Sequence, residues 1–175
     1  MVSITKLFGS YGANCKLNDF NDEMKFFTKM SILDWCGVAY AAKKEPVSRI
    51  VSEMVMEEKG VNQATVISSG HRVSSRGAAL ANGATGHALD YDDTHFLFVG
   101  HPTSSALPTA LALGEELNSS IEDILLAYMA GVGRLGAVLA PLRPPDTPGD
   151  AHTGPHSPWH GSAGVGPWSR EIEFN

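Results

Sequence analysis

Apolar side chains recur every three or four positions in several stretches of the chain, the spacing that places them on one side of an α-helix. The first stretch covers residues 20–42, where Phe26, Met30, Leu33, Gly37 and Tyr40 form one stripe and predict a buried face. Asn18 or Asn21 can cap this helix, and Asp22 and Glu23 suit the positive end of its dipole. Pro46 opens a second helix with Val47, Ile50, Val51 and Met54 along one side, and Gly60 stands where a C-terminal cap would fall. Ala64 to Ile67 is a short β-like run closed by Ser68, Ser69 and Gly70, so it reads as a small strand or an extended link.

From Ser74 to about Tyr91 the chain is crowded with small residues, including Gly77, Gly83 and Gly86. Alanine favours a helix there, and the glycines require tertiary contacts to hold it. Pro102 and Pro108 bracket the start of a helix that runs to about Leu117. Asn118 to Ser120 break it, and Ser119 with Glu122 has the spacing of a capping box. A last helix runs from Ile121 to about Ala140, with Leu125, Tyr128, Val132 and Leu135 on its apolar side. Beyond it the periodicity stops: residues 141–175 hold seven of the ten prolines and no helical or strand pattern. The pattern thus predicts a mainly α body over 1–140, with at most one short β-strand, and an irregular Pro/Gly/His-rich tail over 141–175.

Composition narrows the function classes. Hydrophobic content of 43% and charged content of 18% are those of an ordinary globular domain. A net charge of −6 gives no basic footprint for nucleic acid and no anchor for an anionic membrane surface. No stretch approaches the ~18 apolar residues of a membrane span, and Met1 to Gly12 has no signal-like apolar run, so a cytoplasmic location is expected. Cys15 and Cys36 cannot form a disulfide framework, and Cys36, within an apolar helix, reads as a small buried hydrophobe.

The chemistry concentrates in one place. Between His87 and His101 lie three carboxylates, Asp90, Asp92 and Asp93, and three imidazoles, those two and His95. A helix continued through Thr94 would put His87, Asp90, Tyr91 and Thr94 on one face, with Asp92 and Asp93 pointing elsewhere. Three readings follow. A carboxylate and imidazoles held together can move protons, with Thr94 and His101 donating to a substrate carboxylate. The aspartates can instead be helix caps or solvated charges, Asp93 capping whatever follows. Or His87, Asp90, Asp93 and His95 can hold a metal, although no HExxH or CxxC spacing supports that. His71, beside a turn, reads as exposed.

The string NGATGHALDYDDTH, followed by GHPTSSALPTALALGEEL, resembles the signature of the MmgE/PrpD family, and ILDWCGVAYA and ATVIS agree with it. The resemblance covers about residues 20–140. It implies a large helical domain followed by a smaller α/β domain, usually in a homodimer, with no metal and no cofactor. It implies chemistry at a carbon next to a carboxylate of a small polycarboxylate: dehydration of 2-methylcitrate as the expected reaction, with decarboxylation of cis-aconitate or epimerisation of iminodisuccinate as alternatives. Asp90, Thr94 and His101 match the family's catalytic positions, and His87, Asp93 and His95 stand beside them as substrate-binding candidates. The family's second domain and its later Lys and Tyr have no counterpart in 175 residues, so the expectation is a truncated domain with an out-of-frame tail. A different class of protein is then an inactive fragment that only self-associates.

Overall fold

The computed structural model describes residues 3–95 and 100–139, with the backbone alone at residues 4, 5, 7, 8 and 134–139. The tail expected over 141–175 lies outside the described residues. The elements in order are α1 (Ile4–Asn14), a 3₁₀ turn (Leu17–Asp19), α2 (Asp22–Ala42), α3 (Pro46–Glu57), β1 (Ala64–Thr65), β2 (Arg72–Val73), α4 (Ser75–His87), α5 (Pro102–Leu117) and α6 (Ile121–Leu139). The mainly α fold is as expected. The β-like run supplies only β1, which pairs antiparallel with β2 as Ala64 opposite Val73 and Thr65 opposite Arg72.

Helix α4 lies at the centre, against α2, α3 and α5. Its small residues make that position possible. A Cβ on Gly83 would come within 3.0 Å of the Ser104 carbonyl oxygen of α5. A Cβ on Gly86 would overlap the indole of Trp35, whose Nε1 would lie 2.0 Å away. Trp35 is buried against Gly86 and, with Ala39, Leu107, Ala110 and Tyr128, forms a cluster that joins α2 to α5 and α6. A second cluster, Val55, Val66, Val73, Ala78 and Ala81 among it, joins α3, the hairpin and α4. Asn82, buried in α4, accepts from the Ile67 amide and donates to the Thr65 carbonyl, so one side chain satisfies backbone groups flanking β1.

The stripe on α2 faces the other way from the sequence expectation. The helix buries Thr28, Ser31, Trp35, Ala39 and Ala42. Phe26, Met30, Leu33 and Tyr40 lie on the opposite side, 47 to 68% exposed, and Gly37 is exposed with them. The close approach of α4 leaves room for small groups and a single tryptophan, so the bulky stripe is turned out. Helix α3 repeats the inversion. It buries Ser48, Ser52 and Val55, while Val47, Ile50 and Met54 are exposed and only Val51 of the expected stripe, half-buried, packs against the core. Ser48 Oγ donates to the Ala42 carbonyl at 2.8 Å, and Ser52 Oγ to the Ser48 carbonyl at 2.6 Å, which makes serine acceptable inside.

Some details differ by a residue or so from the sequence expectation. The left-handed residue after α3 is Lys59, with φ of 50°, rather than Gly60. The reciprocal cap before α6 is made by Ser120 and Asp123, one position beyond the expected pair. Asn21 caps α2, accepting from the Met24 amide at 2.8 Å. Cys36 is exposed and Cys15 is buried, since the third core cluster, with Phe20, Met129 and Ala130, gathers around the end of α1. Helix α1 itself carried no signal that we read in the sequence.

Replacing Gly86 by alanine tests the central contact. The gain in helix propensity is about 1 kcal/mol, whereas overpacking against a rigid indole costs about 1–3 kcal/mol or more. We expect a lower urea midpoint for Gly86→Ala; an unchanged or raised midpoint would mean that Trp35 can move away at no cost.

Candidate active site

Helix α4 ends at His87, earlier than a helix reaching Thr94 would require. The amides of Ala88 and Asp90 turn back onto the carbonyls of Thr85 and His87, and Asp90 takes a left-handed conformation with φ of 56°. Aspartate tolerates that region better than most residues. The shared helical face of His87, Asp90, Tyr91 and Thr94 is therefore absent. In its place the chain folds back on itself: the His95 amide donates to the Gly100 carbonyl at 2.9 Å, and His101 follows directly at the start of α5.

This reversal brings His101 over the end of α4. His101 Nε2 lies 3.3 Å from Asp90 Oδ1, and its ring centroid is 4.6 Å from that of His87. Thr94 does not join them: it is exposed, and among the described residues its hydroxyl has no bond to either group. Asp93 is drawn off to α5, where it accepts from the Thr103 amide at 3.2 Å and from the Thr103 hydroxyl at 2.7 Å. That is the capping role the sequence left open for it. The chain of bonds continues from Thr103 to the Tyr128 hydroxyl, which also bonds Ser31. His71 is exposed, as expected.

The residue that sequence reasoning missed is Asp92. It was expected to point away from the cluster, yet its side chain is fully buried at the centre of it. His87 Nδ1 lies 3.0 Å from Asp92 Oδ1. Ser104 Oγ donates to Asp92 Oδ2, and His101 Nδ1 lies 3.1 Å from the Asp92 carbonyl oxygen and 3.4 Å from its Oδ1. Carboxylate and carbonyl oxygens accept, so each imidazole carries its proton on Nδ1. Each then has Nε2 left for exchange, with Asp90 across from that of His101. Only the buried position itself could have revealed this role, and the sequence holds no period that reports it.

A cleft of about 490 Å³ opens beside these groups, between the small-residue face of α4 (Ala79, Leu80, Gly83, Ala84) and the first turns of α5 (Ser104, Ser105, Thr109), with His87 and His101 in its wall. The N-terminal end of α5 favours an anion there. Burial raises the pKa of Asp93, aided by the charges of Asp92 and Asp34, and the Thr103 bonds offset only part of that. Burial likewise pushes the Tyr128 phenol upward. His87, Asp90, Asp92 and His101 also offer ligand atoms within 4.8 Å of one another, a set of donors able to take a divalent cation. This set differs from the one weighed from sequence, since Asp93 is committed to Thr103 and His95 is not a member.

The molecule is thus a mainly helical domain bearing an anchored imidazole–carboxylate cluster on an interhelical cleft. It belongs to the MmgE/PrpD family: residues 6–164 match the family's N-terminal domain. It is similar to cis-aconitate decarboxylase of Homo sapiens, with 30% identity over 144 residues, covering 79% of this chain and 30% of that protein. The Mus musculus cis-aconitate decarboxylase is 30% identical over 143 residues, covering 77% and 29%. The chain therefore spans about 30% of the length of the curated relatives it matches. Among the described residues no helix is long and apolar enough to cross a membrane.

Two measurements check this electrostatic picture. With its folded pKa raised, Asp93 contributes stability that is complete below the ordinary carboxylate value of 3.8 and is lost as the pH climbs through the raised value. Asp93→Asn stays neutral and keeps an acceptor for the Thr103 amide, so it should fall less in stability than the parent over the mildly acidic range, read by urea unfolding at several pH values. Second, two-bond ¹⁵N–¹H spectra should show neutral His87 and His101 both protonated on Nδ1. Asp92→Asn should release the preference at His87 and leave it at His101, which is held by the main-chain carbonyl; loss at neither ring would contradict the assignment.

Proposed function

We propose that this region is the proton-transferring part of a lyase acting on a small polycarboxylate. One observation carries the reading: two imidazoles anchored through Nδ1 to Asp92, the Nε2 of His101 facing Asp90 Oδ1 across 3.3 Å, and both rings in the wall of a cleft large enough for such an acid. His101 Nε2 would exchange the proton at the carbon next to a carboxylate, with Asp90 receiving it or holding the resulting imidazolium. His87 and the N-terminal end of α5 would bind the carboxylates and stabilise charge that develops on them. Both relatives carry the name cis-aconitate decarboxylase, which favours loss of carbon dioxide from cis-aconitate over the dehydration of 2-methylcitrate expected from the motif. Thr94, exposed and outside the cluster, takes no part in this reading.

The test has a binding arm and a turnover arm. Cis-aconitate should shift the imidazole resonances of His87 and His101 in this chain, and His101→Ala should weaken its binding. Where turnover is measurable in the whole protein, His101→Ala should lower kcat/KM by about 10²–10⁴. Chelator should leave both results unchanged; sensitivity to it would favour the cation reading of the same four residues. A tricarboxylate that shifts neither imidazole would sink the proposal.

A further inference from the structure

The imidazole–carboxylate cluster has two layers. At the back lies the buried Asp92 side chain. Its Oδ1 accepts from His87 Nδ1 at 3.0 Å and its Oδ2 from Ser104 Oγ, while its main-chain carbonyl accepts from His101 Nδ1 at 3.1 Å. At the front, His101 Nε2 and Asp90 Oδ1 stand 3.3 Å apart, and the centroid of the His87 ring is 4.6 Å from that of His101. The four residues offer ligand atoms within 4.8 Å of one another. We propose that the front layer, His87, Asp90 and His101, binds a late transition-metal dication, zinc above all, and that the ion inhibits the chemistry of the cleft instead of catalysing it.

Spacing, orientation and donor type agree on this ion. Two ligand atoms each about 2.0–2.1 Å from a tetrahedral zinc are about 3.3–3.4 Å apart, and His101 Nε2 and Asp90 Oδ1 have that separation already. Imidazoles that ligate a metal donate their other ring proton to a carboxylate or a carbonyl, which turns the ligating nitrogen outward and raises its basicity. Asp92 does this for both rings, through its carboxylate for His87 and through its main chain for His101. Bonded from three sides, Asp92 stays behind as the orienting group. Two imidazoles and one carboxylate suit zinc and its neighbours, whereas magnesium and calcium select oxygen ligands. Asp90 and His87 are exposed and His101 stands in the cleft wall, so the ion enters from the cleft and keeps a position open towards it. Inhibition follows because His101 Nε2 has a single lone pair. With the ion on it, that nitrogen accepts no proton from a substrate carbon, and Asp90 receives none. This consequence rests on the role proposed for His101; the binding does not.

Calorimetric titration of the full, metal-free chain with zinc chloride, joined to imidazole spectra, tests the site. Zinc should shift the resonances of His87 and His101 and leave that of His71 in place, and magnesium chloride should shift none of them. Asp90→Asn is the decisive variant: the residue is exposed, and asparagine tolerates the left-handed backbone there. It should weaken zinc binding by roughly tenfold or more, as should His101→Ala, and Asp92→Asn, which removes only the orienting carboxylate, by about 10–100-fold. His71→Ala and the pair His156→Ala/His160→Ala should leave the affinity unchanged. Zinc that moves neither imidazole, or an affinity untouched by both Asp90→Asn and His101→Ala, overturns the site and leaves the role of His101 standing. In the whole protein, zinc should abolish turnover and chelator should restore it, while chelator alone leaves the metal-free protein as it was. Zinc bound at both imidazoles with turnover unchanged overturns the inhibition, and the role of His101 with it.

Discussion

The close approach of α4 to α5 and to Trp35 is the constraint on which the rest of the structure depends. Two helices pack at this distance only where Cβ atoms are missing at the crossing, and Gly83 and Gly86 supply those positions. Gly114 does the same between α5 and α6, where a Cβ would fall 2.5 Å from Ile124. Each glycine weakens its helix locally, so the helices rely on one another rather than on their own propensity. The cleft is the continuation of this surface: its floor is alanine and glycine because the same face of α4 supports α5 farther along.

From that packing follows the arrangement of charge. Ending α4 at His87 and starting α5 at Pro102 leaves a chain reversal between two closely apposed helix ends. A carboxylate in the reversal has to be either solvated or bonded from several sides. Asp90 takes the first course and Asp92 the second, with His87, His101 and Ser104 around it. A buried carboxylate that accepts from several donors is stabilised by them, and in return fixes the orientation of each donor. Asp93 ties the same reversal to α5 and, through Thr103 and Tyr128, to α6. The cluster is thus tied to α4, α5 and α6 before any ligand arrives.

The outward stripes of α2 and α3 belong to the same logic. A helix that must sit close to a glycine-rich neighbour turns its small residues inward, and its bulky residues are left on the other side.

The sequence by itself determined five of the six described helices, where most of them begin, and the segment that holds the chemistry. Helix propensity, proline at the first helical position and the capping Asn21 are local, and local signals survive any tertiary arrangement. The motif also grouped Asp90 with His101, and the two lie 3.3 Å apart. Tertiary structure alone decided which face of α2 and α3 is inside. Periodicity reports that a helix has two faces, and the volume available beside α4 chooses between them, so Trp35 and Ala39 went in and Leu33 and Tyr40 stayed out. It also decided that Asp92, and not Thr94, joins the imidazoles. In a chain reversal there is no repeating angle to extrapolate, and the position of each side chain is set by partners that arrive from α4 and α5.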